Sequence, residues 1–195
     1  MRIERALNYV TTLGPGKRLA VWVNGCSRGC RGCVSERLQK PDETTEVNIE
    51  EYFFGYRLDS IDGVTVSGGE PFEQTDELLH LVEYFKRRGV RDILVYTGFT
   101  LEELQARKDK ATDAVLAHIS VLIDGPYMAE RDSGKGNLMG SDNQRLHCFD
   151  ESLRPAYGAF FREERTMQEV TLPGALLAVG IPDSAYIEAF RKKKT

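Results

Sequence analysis

The chain has 195 residues, of which 41% are hydrophobic and 29% charged, and 30 acidic against 26 basic side chains give a formal net charge of −4. That balance describes one ordinary globular unit large enough to bury a sizeable core. It argues against broad nucleic-acid affinity, and no apolar run is long enough to cross a bilayer.

The opening Met1-Arg2-Ile3-Glu4-Arg5 is too charged for a secretory leader, so a cytoplasmic protein without membrane or nucleic-acid partners is expected. Gly14-Pro15-Gly16 reads as a rigid turn, with Lys17-Arg18 beside it a solvated edge. Residues 19–24 form a continuous apolar run, the pattern of a strand covered on both faces. Directly after it come Cys26, Cys30 and Cys33 in the spacing Cys-x3-Cys-x2-Cys, interleaved with Gly25, Gly29 and Gly32. Thiols gathered so tightly, without a secretory signal, point to a metal centre before a disulfide framework. Three cysteines suit a 4Fe–4S cluster with one iron left open, because electron-transfer clusters ordinarily take four. A zinc site completed by His147 or Cys148 is the competing reading, with a buried thiol the plain one for Cys148.

Residues 34–48 read as a connection. Asn48 and Glu51 signal a helix start, followed by Ile49, Tyr52, Phe53 and Tyr56 at helical spacing. A second strand is expected at 64–67, ending in Ser67-Gly68-Gly69-Glu70-Pro71. The clearest helix runs from about Thr75 to Arg88, with Leu78, Leu79, Leu81, Val82 and Phe85 on one face and Gly89 ending it. Residues 92–97 form a third strand, Thr100 and Glu103 a capping box, 112–118 a further helix and 119–123 a fourth strand. The stretch 125–142 loses periodicity, as functional loops of that length do. A fifth strand over 143–149, a hairpin over 168–172 and 176–181, and a last helix capped by Asp183 complete the chain. The basic run Arg191-Lys192-Lys193-Lys194 then complements that helix's dipole. Strands alternating with helices imply parallel βα units, too few for a closed barrel. The expected fold is α/β: a partial, open parallel βα barrel over 1–149, with a C-terminal extension over 150–195 forming a small hairpin and helix.

The cysteine spacing resembles the radical S-adenosylmethionine superfamily and, within it, the glycyl-radical activases of anaerobic ribonucleotide reductase. Leu13-Gly14-Pro15-Gly16-Lys17-Arg18, Ser67-Gly68-Gly69-Glu70-Pro71, Tyr96-Thr97-Gly98-Phe99, Leu122-Ile123-Asp124-Gly125-Pro126-Tyr127 and Gly140-Ser141-Asp142-Asn143-Gln144 follow in family order. The resemblance implies a 4Fe–4S cluster on Cys26, Cys30 and Cys33. It implies S-adenosylmethionine held by Gly32, Val34, Ser67, Gly68, Gly69, Glu70, Thr97, Gly98 and Asp124, with a monovalent cation beside Asp124. Glu70 is read as an acceptor for the cofactor's ammonium. The implied reaction is reductive cleavage of that cofactor to a 5′-deoxyadenosyl radical, which installs a glycyl radical on a large reductase. A flavodoxin-like or other donor supplies the electron, and no catalytic residue is needed beyond the cluster ligands. The 125–142 loop is read as part of the face that admits the partner. His80 and His118 receive no role, and Asn24 and Asn143 read as turn or cap residues. The sequence departs from the activators at Ser27-Arg28-Gly29 and Val34-Ser35, which leaves two other readings open. One is a radical enzyme acting directly on a peptide or small metabolite; the other is a zinc or iron–sulfur module without catalysis.

Overall fold

A computed structural model describes residues 1–193 of the chain. Six strands form one open sheet in chain order, without closing into a barrel. β2 (Arg18–Val23), β3 (Gly63–Gly68), β4 (Asp92–Tyr96) and β5 (Val121–Asp124) run parallel. β1 (Ile3–Val10) and β6 (Arg145–Cys148) close the two edges antiparallel. The open βα architecture thus matches the expectation, with an antiparallel strand added at the front. β1 escapes a periodicity reading because its register with β2 shifts twice and Tyr9 takes a positive φ of 61°. Those irregularities scramble the alternation that marks a strand.

The two faces of the sheet are covered differently. On one, Leu19, Val21, Val64, Val66, Ile93, Val95 and Leu122 pack under the helices. There α2 (Thr75–Arg87) supplies Leu78, Leu81, Val82 and Phe85, and α4 (Lys110–His118) supplies Val115. α3 (Leu101–Ala106) opens on the capping box expected at Thr100 and Glu103, with both of its hydrogen bonds made. α1 (Ile49–Tyr52) is capped by Asn48 but lasts one turn. Beyond it Phe53 stacks edge-on against Tyr56 and Phe85, so ring packing replaces further helix.

On the opposite face, Leu94, Val121 and Ile123 meet Tyr157 and Phe160 of α5 (Arg154–Arg162). α5 was not foreseen because Pro155 and Gly158 interrupt its sequence, yet Pro155 sits in the first turn, where no N–H is missed. Ala20, Leu13 and Val10 meet Val179 of the hairpin made by β7 (Met167–Leu172) and β8 (Ala175–Gly180). α6 (Ser184–Lys193) follows, with Asp183 accepting from the N–H of Tyr186. The side chains of the basic run at its end lie outside the described residues. Among the described residues, no helix is long and apolar enough to cross a membrane.

Arg18 is not a solvated edge. Its side chain is fully buried, and its guanidinium pairs with both carboxylate oxygens of Asp92 at 2.7 and 3.1 Å. It also donates to the Thr65 hydroxyl at 2.6 Å and to the carbonyls of Pro15 and Val64. A Cβ on Gly14 would stand 2.8 Å from Arg18 Cδ, so the Gly-Pro-Gly turn exists to wrap this arginine. Tyr157 donates to Asp92 at 2.8 Å, tying α5 to the same carboxylate.

Removing one member of a buried ion pair strands the other charge. Asp92→Ala is expected to cost about 3–5 kcal/mol in urea unfolding, and Tyr157→Phe about 1.5–3 kcal/mol. Equal losses from the two variants, or none from Asp92→Ala, would contradict the network.

Candidate active site

A pocket of about 160 Å³ opens at the C-terminal ends of the parallel strands, the place where α/β sheets hold ligands. The structure brings Cys26, Cys30, Cys33, Val34, Ser67, Gly68, Gly69, Glu70, Thr97 and Gly98 around it. The backbone explains the glycines. Gly68 has a φ of 106°, and a Cβ on Gly69 would meet the Gly25 carbonyl oxygen at 2.2 Å. The Glu70 N–H donates to that same carbonyl at 2.8 Å, and the Gly69 N–H to Val23. Main chain therefore packs directly on main chain, and the loop after β3 is fastened to the loop after β2.

Glu70 is buried, and its carboxylate is already satisfied. It accepts from the Phe72 N–H at 3.0 Å, the Thr97 hydroxyl at 2.8 Å and the Gly98 N–H at 2.7 Å. It thereby joins the loops after β3 and β4 while still bordering the pocket. Burial pushes its pKa up to about 7, despite those donors.

The sequence pattern of the family described as "4Fe-4S single cluster domain" matches residues 12–147. The chain belongs to that family. It is a radical S-adenosylmethionine domain resembling anaerobic ribonucleoside-triphosphate reductase-activating proteins. That of Haemophilus influenzae is 34% identical over 145 residues, covering 70% of this chain and 90% of the relative. That of Pasteurella multocida is 34% identical over 149 residues, covering 71% and 91%. That of Escherichia coli K12 is 30% identical over 148 residues, covering 69% and 90%. A solved structure, the crystal structure of QueE from Escherichia coli, covers 50% of this chain and 52% of its own at 18% identity. Its TM-score of 0.37 carries no argument.

In this radical S-adenosylmethionine domain the three cysteines border one pocket, but they do not form a ligand set. Among the described residues, no group of three or more His, Cys, Asp or Glu side chains is placed to hold a metal ion. The 4Fe–4S centre expected on Cys26, Cys30 and Cys33 is corrected accordingly, as is the zinc alternative. Burial pushes the Cys26 and Cys33 thiols up, and for Cys26 the Glu70 and Glu73 carboxylates add to it. The loop is held by its main chain instead, with Gly25 and Cys26 donating to Leu38 and Gln39, and Ser27 donating to Glu73 through both its N–H and its hydroxyl.

The cation expected beside Asp124 is corrected on the same finding. Asp124 is fully buried and lies outside the pocket lining. It accepts from the Leu101 N–H at 2.7 Å and from Arg145, and faces His147 Nε2 at 3.1 Å. Burial pulls its pKa upward, but Arg145 and the other donors hold the carboxyl below its ordinary value. Gly32 borders a different cavity. Asn24 and Asn143 serve the turns, accepting from Asp42 N–H and donating to the Pro126 carbonyl. Cys148 is a buried thiol, as expected.

Sequence reasoning missed several pocket residues. Arg28 borders the pocket with its guanidinium 4.6 Å from the Phe99 ring centre, while Arg107 stands 4.2 Å from the same ring. Tyr127, Asp132 and Gly140 come from the 125–142 loop, and Gln144 from just beyond it. Gln144 accepts from the Gly140 N–H and donates to the Gly125 carbonyl, which explains why the Gly-Ser-Asp-Asn-Gln motif follows Asp-Gly-Pro-Tyr. Arg165, from outside the family match, clamps that loop by donating to the carbonyls of Gly136, Met139 and Gly140 and pairing with Asp132 at 2.9 Å.

A carboxyl whose pKa is about 7 when folded and ordinary when unfolded holds its proton longer in the folded state. Stability then falls as pH rises from about 4.5 to 7, by at most about 1.4 kcal/mol per pH unit from this group. Urea unfolding across that window should show Glu70→Gln to be flatter than the unaltered chain; parallel curves would refute the assignment.

Proposed function

We propose that this chain activates an anaerobic ribonucleotide reductase. It binds S-adenosylmethionine against the strand ends of β3 and β4 and cleaves it reductively with an electron from an external donor. The resulting 5′-deoxyadenosyl radical takes a hydrogen atom from a glycine of the reductase and leaves a glycyl radical there. Family membership and the 30–34% identity to the activating proteins support this reading. The observation that carries it is the pocket's main-chain wall. Gly68 and Gly69 have no side chain to set between the main chain and a ligand, while Glu70 ties their loop to Thr97 and Gly98.

The residues of this chain bind, orient and exclude water. Gly68 and Gly69 let the methionyl end of the cofactor approach the backbone. Thr97 and Gly98 are held by Glu70 at the opposite wall, and Arg28 adds a cation at the rim. Hydrogen abstraction by a carbon radical needs no general base.

Under strict exclusion of oxygen, chain, dithionite and S-adenosylmethionine are expected to release 5′-deoxyadenosine. Adding the reductase should then produce a glycyl-radical doublet in electron paramagnetic resonance. Cofactor cleavage without a doublet would remove the reductase as partner, and absence of both would remove the radical reading.

Gly69→Ala is expected to weaken S-adenosylmethionine binding by about tenfold or more in equilibrium dialysis, since its methyl group must push the Gly25 loop away. Unchanged binding would show that the cofactor sits elsewhere.

A further inference from the structure

A second and larger cavity, of about 520 Å³, lies between the sheet and the C-terminal hairpin and helix. Its floor is a row of residues on neighbouring strands: Arg5 of β1 sits opposite Trp22 of β2, which sits opposite Ser67 of β3. Its roof comes from β8 and α6, through Leu177, Val179 and Ile187. That roof lies wholly beyond residue 147, where the family match ends. The volume falls in the range of small-ligand sites, and the walls are mostly aliphatic and aromatic, as in such sites.

Among the polar residues of the lining, which also include Glu4, Ser35, Glu36, Arg37 and Ser67, Arg5 stands apart. Arg5 Nε is buried with no hydrogen-bond partner, and among the described residues the guanidinium makes no hydrogen bond or ion pair. Its neighbours in the lining are different: Glu4 and Arg37 neutralise each other at 2.8 Å. A buried guanidinium nitrogen left unsatisfied is costly, and a carboxylate, whose two oxygens fit the fork of donors, would match it. The cavity also meets the first pocket, since Cys33, Ser67 and Tyr96 border both.

We propose that this chamber is a second ligand site, for a carboxylate with an elongated apolar body. Arg5 takes the anion, and the body lies along Trp22, Leu177 and Val179 toward the wall shared with the first pocket. The site stands on its own geometry and does not depend on radical chemistry. A free small acid and the C-terminal carboxylate of an apolar peptide present the same chemistry.

Trp22 is the only tryptophan in the sequence, so its fluorescence reports directly on the chamber. The full chain is titrated with decanoate and with decanol, and with acetyl-Leu-Leu-Leu as free acid and as amide. The expected result is a saturable change in Trp22 emission in which an acid binds about tenfold or more tighter than its neutral twin. The tighter of the two acids identifies the source. Arg5→Gln should erase the preference for the acid, Arg5→Lys should keep part of it, and neither should alter S-adenosylmethionine binding. No saturable change with either acid, or equal binding of each acid and its neutral twin, overturns the proposal. Both outcomes are read on the unaltered chain, so the test holds even if Arg5→Gln fails to fold.

Discussion

The pocket depends on one buried carboxylate. Glu70 ends the loop after β3, and its oxygens take the Thr97 hydroxyl and the Gly98 N–H from the loop after β4. Its own N–H is spent on the Gly25 carbonyl, at the start of the cysteine loop. Three strand ends are thus held together through one residue, and Gly69 permits the contact because nothing larger than hydrogen fits beside Gly25. The family motif Ser-Gly-Gly-Glu has a mechanical meaning here. The glycines bring backbones together, and the glutamate stops them from parting.

A different network braces the other end of the sheet. Arg18 and Asp92 join the starts of β2 and β4, and Tyr157 brings α5 onto the same pair. Through that tyrosine the C-terminal segment is anchored to the sheet face that the helices α2 and α4 leave open. Arg165 continues the connection by holding the loop that walls the pocket. The region beyond the family match therefore does two structural jobs: it covers the exposed face of an open sheet, and it orders the rim of the site. The space left beneath the hairpin is the chamber whose floor includes Arg5.

The cysteines separate descent from local chemistry. Their spacing, together with the ordered motifs from Leu13 to Gln144, identifies the family, and the matches to activating proteins agree with it. A ligand set asks for more: side chains that converge. In this structure the loop is shaped by main-chain bonds to Leu38 and Gln39, and by Glu73 gripping Ser27. Spacing along a chain limits how far apart three side chains can be, but it does not aim them at one point.

Sequence alone determined the elements whose signals are local. The apolar face of α2 with Gly89 at its end, the Thr100–Glu103 box, the Asn48 and Asp183 caps and the four parallel strands all lie in short windows of residue order. The family and the strand ends that face the pocket were legible for the same reason, since motifs are contiguous. Tertiary structure decided which polar groups were already taken. Arg18 reads as surface until Asp92, distant in sequence, buries it; Asp124 reads as a cofactor contact until Arg145 pairs with it, away from the pocket. β1 and α5 likewise follow from partners rather than propensity, because an irregular strand and a proline-containing helix are stabilised mainly by the surfaces they cover. A charge's availability depends on what stands within about 3 Å of it in space, and residue order does not contain that distance.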